Sequence, residues 1–463
     1  MTPAGPLTTL SRRDLLNYGA LALPLSMAAL PIYVHVPKFY GDTLGLDLAL
    51  VGFILLGLRA LDCIIDPLLG AWSDRLRARS IPIAWSLVPL ALGMIALFSP
   101  LPETPSGRAM WLVATLAVVY ASFSLATINH GAWGAELSVD PHQRTRITAT
   151  REALALLGVI AGAVIPGLFA SEAQGLAWLS LIFATLLVTL GGWTLLFAPR
   201  STHAPIAVKR LRQLLPEALA NTRFRRLLSV YVINGIAAAI PATLVLFFVQ
   251  DVVGAGSQQG AFLAVYFVAG ALAMPFWIAL ARRIGKERAW IAGMMLAIAT
   301  FVWALRLGPG DSAAFFAICA ASGIALSADL ALPPSMLADA IEQGPQSVGA
   351  GTYFGVWTMA TKLNLALAAG IALPLIGWLG YRPGDGVGAA GTDALSIVYG
   401  GVPCALKLLA AVMCWQLIPR NPVTGDVPLA GLTKEIPCST SVGDAPSLLP
   451  SPSSRYSSKD APL

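Results

Sequence analysis

The sequence predicts an all-α membrane protein with twelve transmembrane helices in two six-helix bundles. Three observations predict it. Of 463 residues, 56% are hydrophobic and 12% charged, and the mean hydropathy is +0.72, a composition of chains that cross a bilayer several times rather than of soluble domains. Apolar runs of about 20 residues, the length needed to span the hydrocarbon layer, recur between polar breaks along the whole body of the chain. The longest connection in that body, 199–226, is basic and leaves six runs on either side.

In chain order the runs fall near 15–37, 46–72, 82–100, 109–137, 148–171, 176–198, 228–250, 259–281, 289–307, 312–337, 350–380 and 393–418. The first follows Arg12 and Arg13 directly and continues into a span, so no cleavable signal peptide is expected. The second is closed by Gly70-Ala-Trp-Ser-Asp74-Arg75-Leu-Arg77-Ala-Arg79, and the eighth by the related Ala281-Arg282-Arg283-Ile284-Gly285-Lys286-Glu287-Arg288. Like loops at like places suggest duplicated halves. The expected organisation is a first bundle at 1–198, a basic linker at 199–226, a second bundle at 227–420 and, at 421–463, a Ser/Pro/Gly-rich tail expected to be disordered.

Of the 30 Lys and Arg residues, 23 fall at the N-terminus, in the even-to-odd connections and in the tail. Lys38, Arg108, Arg306 and Arg382 fall on the opposite side, and Arg59, Lys362 and Lys407 lie within spans. That bias predicts a multi-pass protein of the cell (inner) membrane with both termini cytoplasmic. The net charge of +6 is therefore read as topology, and nucleic acid is not an expected partner. Cys63, Cys319, Cys404, Cys414 and Cys438 show no metal-ligand spacing and are read as packing residues. No cofactor or metal is expected, nor an enzyme, since no nucleophile, base and orienting group stand in register. A monomer in the lipid bilayer is expected.

The charges inside the spans carry the functional reading. Asp62 and Asp66 lie one helical turn apart in the second span, with Arg59 a turn before them. A charge at the bilayer centre costs about 2.5–3.5 kcal/mol on insertion scales, so intramembrane acids mark ion or substrate paths. Two such carboxylates hold a cation or share protons. Alternatively they pair with Arg59 or Lys362 only to join helices. Lys362, with Thr358 on its face of the eleventh span, is too deep to snorkel and needs an acidic partner, which the second span offers. In the fourth span Asn129 and Trp133 share a face able to contact an amphipathic solute, against the plainer reading of Trp133 as packing. His130 is a proton relay or, more simply, a packing residue. Asp329, before Pro333 and Pro334 in the tenth span, is a second site candidate, and Asp339 a gate or loop anchor near the cytoplasmic end.

These residues together resemble the glycoside-pentoside-hexuronide:cation symporter family of the major facilitator superfamily, the melibiose permease-like proteins, over nearly all of 10–420. The resemblance rests on Arg59-x-x-Asp62-x-x-x-Asp66-Pro67, on Trp133 with Glu136-Leu137-Ser138, on Arg151, on Ala338-Asp339 and on Thr358-x-x-x-Lys362. It implies alternating access and solute uptake driven by H⁺ or Na⁺. It implies cation binding by Asp62 and Asp66 beside Lys362 and substrate contact by Trp133 and Arg151; with the residue reading, the expected cation site adds Thr358, the substrate site Ser26, Asn129, His130 and Asp329, and the gates are Arg59, Asp74, Arg75 and Asp339. Departures bear on the ion and the solute. The sodium-binding Asn of melibiose permease falls at Ile65, and the hydroxyl that family members add from the fourth span falls at Ala126. With two oxygen ligands lost, H⁺ is favoured over Na⁺. The sugar-binding acids fall at Ser26 and Asn129, so a sugar or glycoside other than a melibiose-type galactoside is expected. The rivals are a carrier of an amphipathic, lysolipid-like substrate and a non-transporting receptor or assembly protein of the same fold.

Overall fold

The computed structural model describes residues 10–29, 31–169, 171–200, 211–345, 348–380 and 389–418. These fall in one compact unit. The expected tail and part of the expected linker lie outside the described residues.

The described chain is helical almost throughout. The first expected span is not one helix. It is divided into α1 (Arg12–Gly19), α2 (Ala22–Met27) and short wide turns over Pro31–His35 and Phe39–Thr43. Pro24, Pro31 and Pro37 each remove a backbone donor, which is why no continuous ladder forms there. The first half continues with α3 (Leu48–Ser73), α4 (Ser80–Phe98), α5 (Pro105–Glu136), α6 (Pro141–Val164) and α7 (Glu172–Phe197). After α8 (Leu211–Ala220) come α9 (Thr222–Phe247), α10 (Gln259–Ile284), α11 (Lys286–Phe301), α12 (Ser312–Glu342) and α13 (Ala350–Trp378). The last expected span is α14 (Ala389–Ser396), a wide turn at Ile397–Gly401 and α15 (Val402–Leu417).

Helix starts are written locally. Asp47 accepts from Leu50 N at 2.8 Å and Asp140 from His142 N at 2.9 Å, each satisfying an amide that the helix leaves open. Gly285, at φ 89°, makes the sharp connection between α10 and α11 in a conformation that a side chain would strain.

Among the described residues, ten helices are long and apolar enough to cross a membrane. The broken first span and α3, which carries Arg59, Asp62 and Asp66, fall outside that count of ten. On α3 the apolar Leu61, Ile64 and Leu68 are exposed while Asp62 and Asp66 are buried. Such a helix turns hydrocarbon to lipid and charge to protein.

Helices from the two sides of the 199–226 connection pack directly: α3 and α5 on α13, and α6 on α10 and α12. The α3–α13 contact is backbone-close because both faces are glycine. A Cβ at Gly355 would stand 2.6 Å from the Asp66 carbonyl oxygen and 2.9 Å from Pro67 Cα, and one at Gly351 2.6 Å from the Gly70 oxygen. Small residues are what let membrane helices approach this far. Replacing Gly355 by Ala therefore forces the two helices apart; it is expected to cost about 1–3 kcal/mol, the usual penalty of overpacking. A Gly355→Ala protein that unfolds thermally at the wild-type temperature would contradict this close packing.

Candidate cation and substrate site

The close α3–α13 contact brings the intramembrane charges together. The Lys362 ammonium donates to Asp62 Oδ2 at 2.5 Å, to Asp66 Oδ1 at 2.9 Å and to Ser124 Oγ at 2.7 Å. Asp66 Oδ2 is also 2.8 Å from Nζ. Ser124 in turn donates to Asp62 Oδ1 at 2.8 Å. All three ammonium hydrogens are used, and the acids are 5% and 0% exposed. Two carboxylates against one ammonium leave the cluster one negative charge in surplus, in a place where charge is poorly solvated. A proton or a monovalent cation would cancel that surplus.

Ser124 amends the sequence reading. The hydroxyl expected to be missing at Ala126 is supplied from the same helix, α5, by Ser124, two residues earlier. Nothing in the sequence distinguished this serine from the other hydroxyls of α5. Ile65 does lie between the acids, half-buried.

The other expected residues are distributed. Thr358 is half-buried one turn before Lys362, and the Arg59 guanidinium stands over the Tyr120 ring at 5.9 Å. Arg59, Tyr120, Leu55 and Leu365 line a cavity of about 310 Å³ that reaches Lys362. Ser26 is half-buried on α2. Asn129 is fully buried, its amide donating to the Leu125 oxygen at 2.8 Å while its own oxygen has no hydrogen-bond partner among the described residues. Trp133 donates to the Pro199 oxygen at 2.9 Å and meets Tyr18 edge-on, as a packing tryptophan does. His130 contacts the Tyr18 oxygen at 2.9 Å, and Arg151 pairs with Glu152 at 2.5 Å. Asp329 is not in the Lys362 cluster. It belongs to a second network in which Oδ2 accepts from Lys407 at 2.7 Å and Oδ1 from Asn234 at 3.0 Å and Trp290 at 2.8 Å.

At the end that carries the basic loops the two halves are tied twice. Asp74 accepts from Gly351 N and Thr352 N, both at 2.8 Å, and so caps α13 from across the contact. Arg79, fully buried, holds Asp74 and Glu136 at 2.7 Å each, whereas Arg75 of the same loop is exposed. Asp339 takes Arg144 at 3.0 Å and Lys286 at 2.5 Å. Arg79, Glu136, Arg144 and Lys286 were given no role from sequence, although Arg79 and Lys286 stand in the loop stretches and Glu136 in the motif noted there.

Fold and charge placement define a multi-span membrane transporter. Residues 16–419 match the family model for MFS/sugar transport proteins, and the chain belongs to that family, within the major facilitator superfamily. It is 22% identical to the inner membrane symporter YicJ of Escherichia coli strain K12, over 82% of this chain and 86% of that one. It is 24% identical to a putative sulfoquinovose importer of Salmonella typhimurium, over 89% and 91%. It is 22% identical to the sphingosine-1-phosphate transporter MFSD2B of Mus musculus, over 88% of each. In fold it is similar to the E. coli fucose:proton symporter FucP, with TM-score 0.64, 13% identity and coverage of 87% and 99%.

Removing the ammonium alone would leave two buried acids facing each other. Breaking a buried ion pair from one side costs about 3–5 kcal/mol. Lys362→Ala should therefore unfold at distinctly lower temperature than wild type, while Lys362→Ala combined with Asp62→Asn and Asp66→Asn regains part of the loss. Equal melting of the single and triple variants would show that the pairing carries no such strain.

Proposed function

We propose that the protein is a cation-coupled symporter of a small organic solute, of the sugar or glycoside class, working by alternating access in the inner membrane with both termini cytoplasmic. One observation carries the reading: Lys362 of the second half lies in direct contact with Asp62 and Asp66 of the first, and the three leave one negative charge uncancelled. A coupling cation that removes the surplus changes the very contact that joins the bundles 1–198 and 227–420. The linker 199–226 then lets them rock about the site.

The coupling ion is read as H⁺. A hard cation collects several oxygens. Ser124 supplies one beside the carboxylates, but Ile65 puts hydrocarbon between the two acids. A proton needs only a carboxylate oxygen. Protonation of either acid leaves one carboxylate matched to Lys362 and a neutral site. The 310 Å³ cavity supplies the route to it, and the ties of Asp74 and Asp339 close the basic, cytoplasmic end, so this arrangement is outward-facing. Ser26, Asn129, Thr358 and Arg151 are the polar groups proposed to meet the solute as the halves move; Arg59, Asp74 and Asp339 gate.

Proteoliposomes test the reading. A thermal-shift screen of glycosides, uronates, lysolipids and organic acids first identifies a transported solute, since bound ligand stabilises the folded state. Asp62→Asn and Asp66→Asn should each reach the membrane folded and abolish its gradient-driven accumulation; full concentrative uptake by either overturns the assignment. Wild-type accumulation should follow an inward proton gradient with Na⁺ absent, and a strict Na⁺ requirement at fixed pH would replace the proton by sodium.

A further inference from the structure

The second charged network borders a cavity that plays no part in the coupling reading. This cavity, of about 290 Å³, lies wholly among α9, α10, α11, α12 and the Ile397–Leu417 segment of the second half. Its walls are Phe262, Tyr266, Phe267, Phe301 and Tyr399 with aliphatic residues, Ser322 and two cysteines, and its charged groups are Asp329 and Lys407. An apolar chamber of this size with a few converging polar groups is the usual form of a small-molecule site.

We infer that this cavity binds an uncharged amphiphile: an apolar body with one neutral oxygen acceptor, such as a hydroxyl, that takes a hydrogen bond from Lys407. The hydrogen-bond count sets the polar end. The ammonium of Lys407 donates to Asn234 Oδ1 at 2.9 Å and to Asp329 Oδ2 at 2.7 Å, and two of its three hydrogens are thereby spent. Among the described residues the third has no acceptor. The carboxylate of Asp329 already accepts from Lys407, Asn234 and Trp290, three of its roughly four lone-pair sites, so the open charged donor is Lys407 and the ligand brings an acceptor to it.

Charge sets its neutrality. Lys407 and Asp329 cancel, unlike the trio around Lys362. An anion would leave one negative charge unmatched among aromatic walls, and a cation one positive charge; both carry a desolvation cost that a neutral oxygen avoids. The lining sets the body. Five aromatic rings and the aliphatic side chains around them offer dispersion contact, and beyond the charged pair only the hydroxyls of Tyr266, Tyr399 and Ser322 and two thiols are polar, too few to match every hydroxyl of a polyhydroxylated ring.

The test uses the whole protein in phosphatidylcholine nanodiscs and four diazirine-bearing ten-carbon probes: a primary alcohol, a carboxylate, a trimethylammonium and a plain alkane. After photolysis, cross-linked peptides are mapped. The alcohol should label saturably the stretches 262–267 and 399–404, with roughly tenfold preference over the other three, the worth of one hydrogen bond to a charged group. Ala238→Phe, which fills the cavity from α9, should abolish that labelling. Because Lys407→Ala alone strands Asp329, the paired Asp329→Asn, Lys407→Met variant removes both charges together; it should stay folded and lose the preference for the alcohol over the alkane. Labelling by alkane and alcohol alike, labelling that survives Ala238→Phe, or preference for the carboxylate or the ammonium would each overturn the assignment. None of these outcomes depends on the Asp62 and Asp66 variants, so the two readings fail separately.

Discussion

The contact between Lys362 and the Asp62/Asp66 pair is the constraint from which the rest of the arrangement follows. Three charges in a low-dielectric interior are tolerable only in one another's company. The acids are on α3 and the ammonium on α13, 296 residues along the chain from Asp66, so neither half can satisfy its own charges. The backbone must bring the two helices close enough for a direct ion pair. Glycines at 70, 351 and 355 do that, and Ser124 on α5 fills the one remaining donor position of the ammonium.

The basic end repeats one device in each half. In the first, the loop after α3 sends Arg79 to Glu136 at the end of α5. In the second, the loop after α10 sends Lys286 to Asp339 near the end of α12. Each loop follows the second helix of its half, and each acid ends the fourth. Each device then reaches across: Asp74 caps α13, and Asp339 takes Arg144 from α6. The weak echo between the two loop sequences thus corresponds to a shared ion-pair pattern. What recurs is a cation following the second span and held by an acid near the end of the fourth, since buried charges must meet a partner.

Legibility in the sequence followed the cost of being wrong. Burying charge in lipid is so expensive that Asp62, Asp66 and Lys362 announced themselves, and their mutual contact could be anticipated from there being too few partners to choose from. The same reasoning applied to Lys407 would have paired it with Asp329, the acid left over in that half; reading Asp329 as an acid for the first site hid this. Ser124 was not legible, because a hydroxyl in a membrane helix can always bond its own helix backbone, as Thr115 does to Trp111. Trp133 looked like a solute platform on helical spacing alone, but spacing gives the face and not the neighbour, and its neighbour is the Pro199 carbonyl just past α7. The broken first span escaped because three prolines spread over an apolar run leave its hydropathy intact while removing its hydrogen bonds.

The two intramembrane networks differ in one unit of charge, and on the proposed readings that difference gives them different tasks. Around Lys362 the carboxylates outnumber the ammonium, so the charge balance favours uptake of a cation, which is the basis of the proposed coupling. Around Lys407 the charges already balance, Asp329 accepts from Asn234, Trp290 and Lys407, and a cation finds no net charge there to neutralise. What such a pair retains is a single fixed donor at the edge of an apolar chamber. A neutral ion pair of this kind recognises through one directed hydrogen bond, whereas an unbalanced one recognises through charge, and within one fold the first suits a ligand and the second a coupling ion.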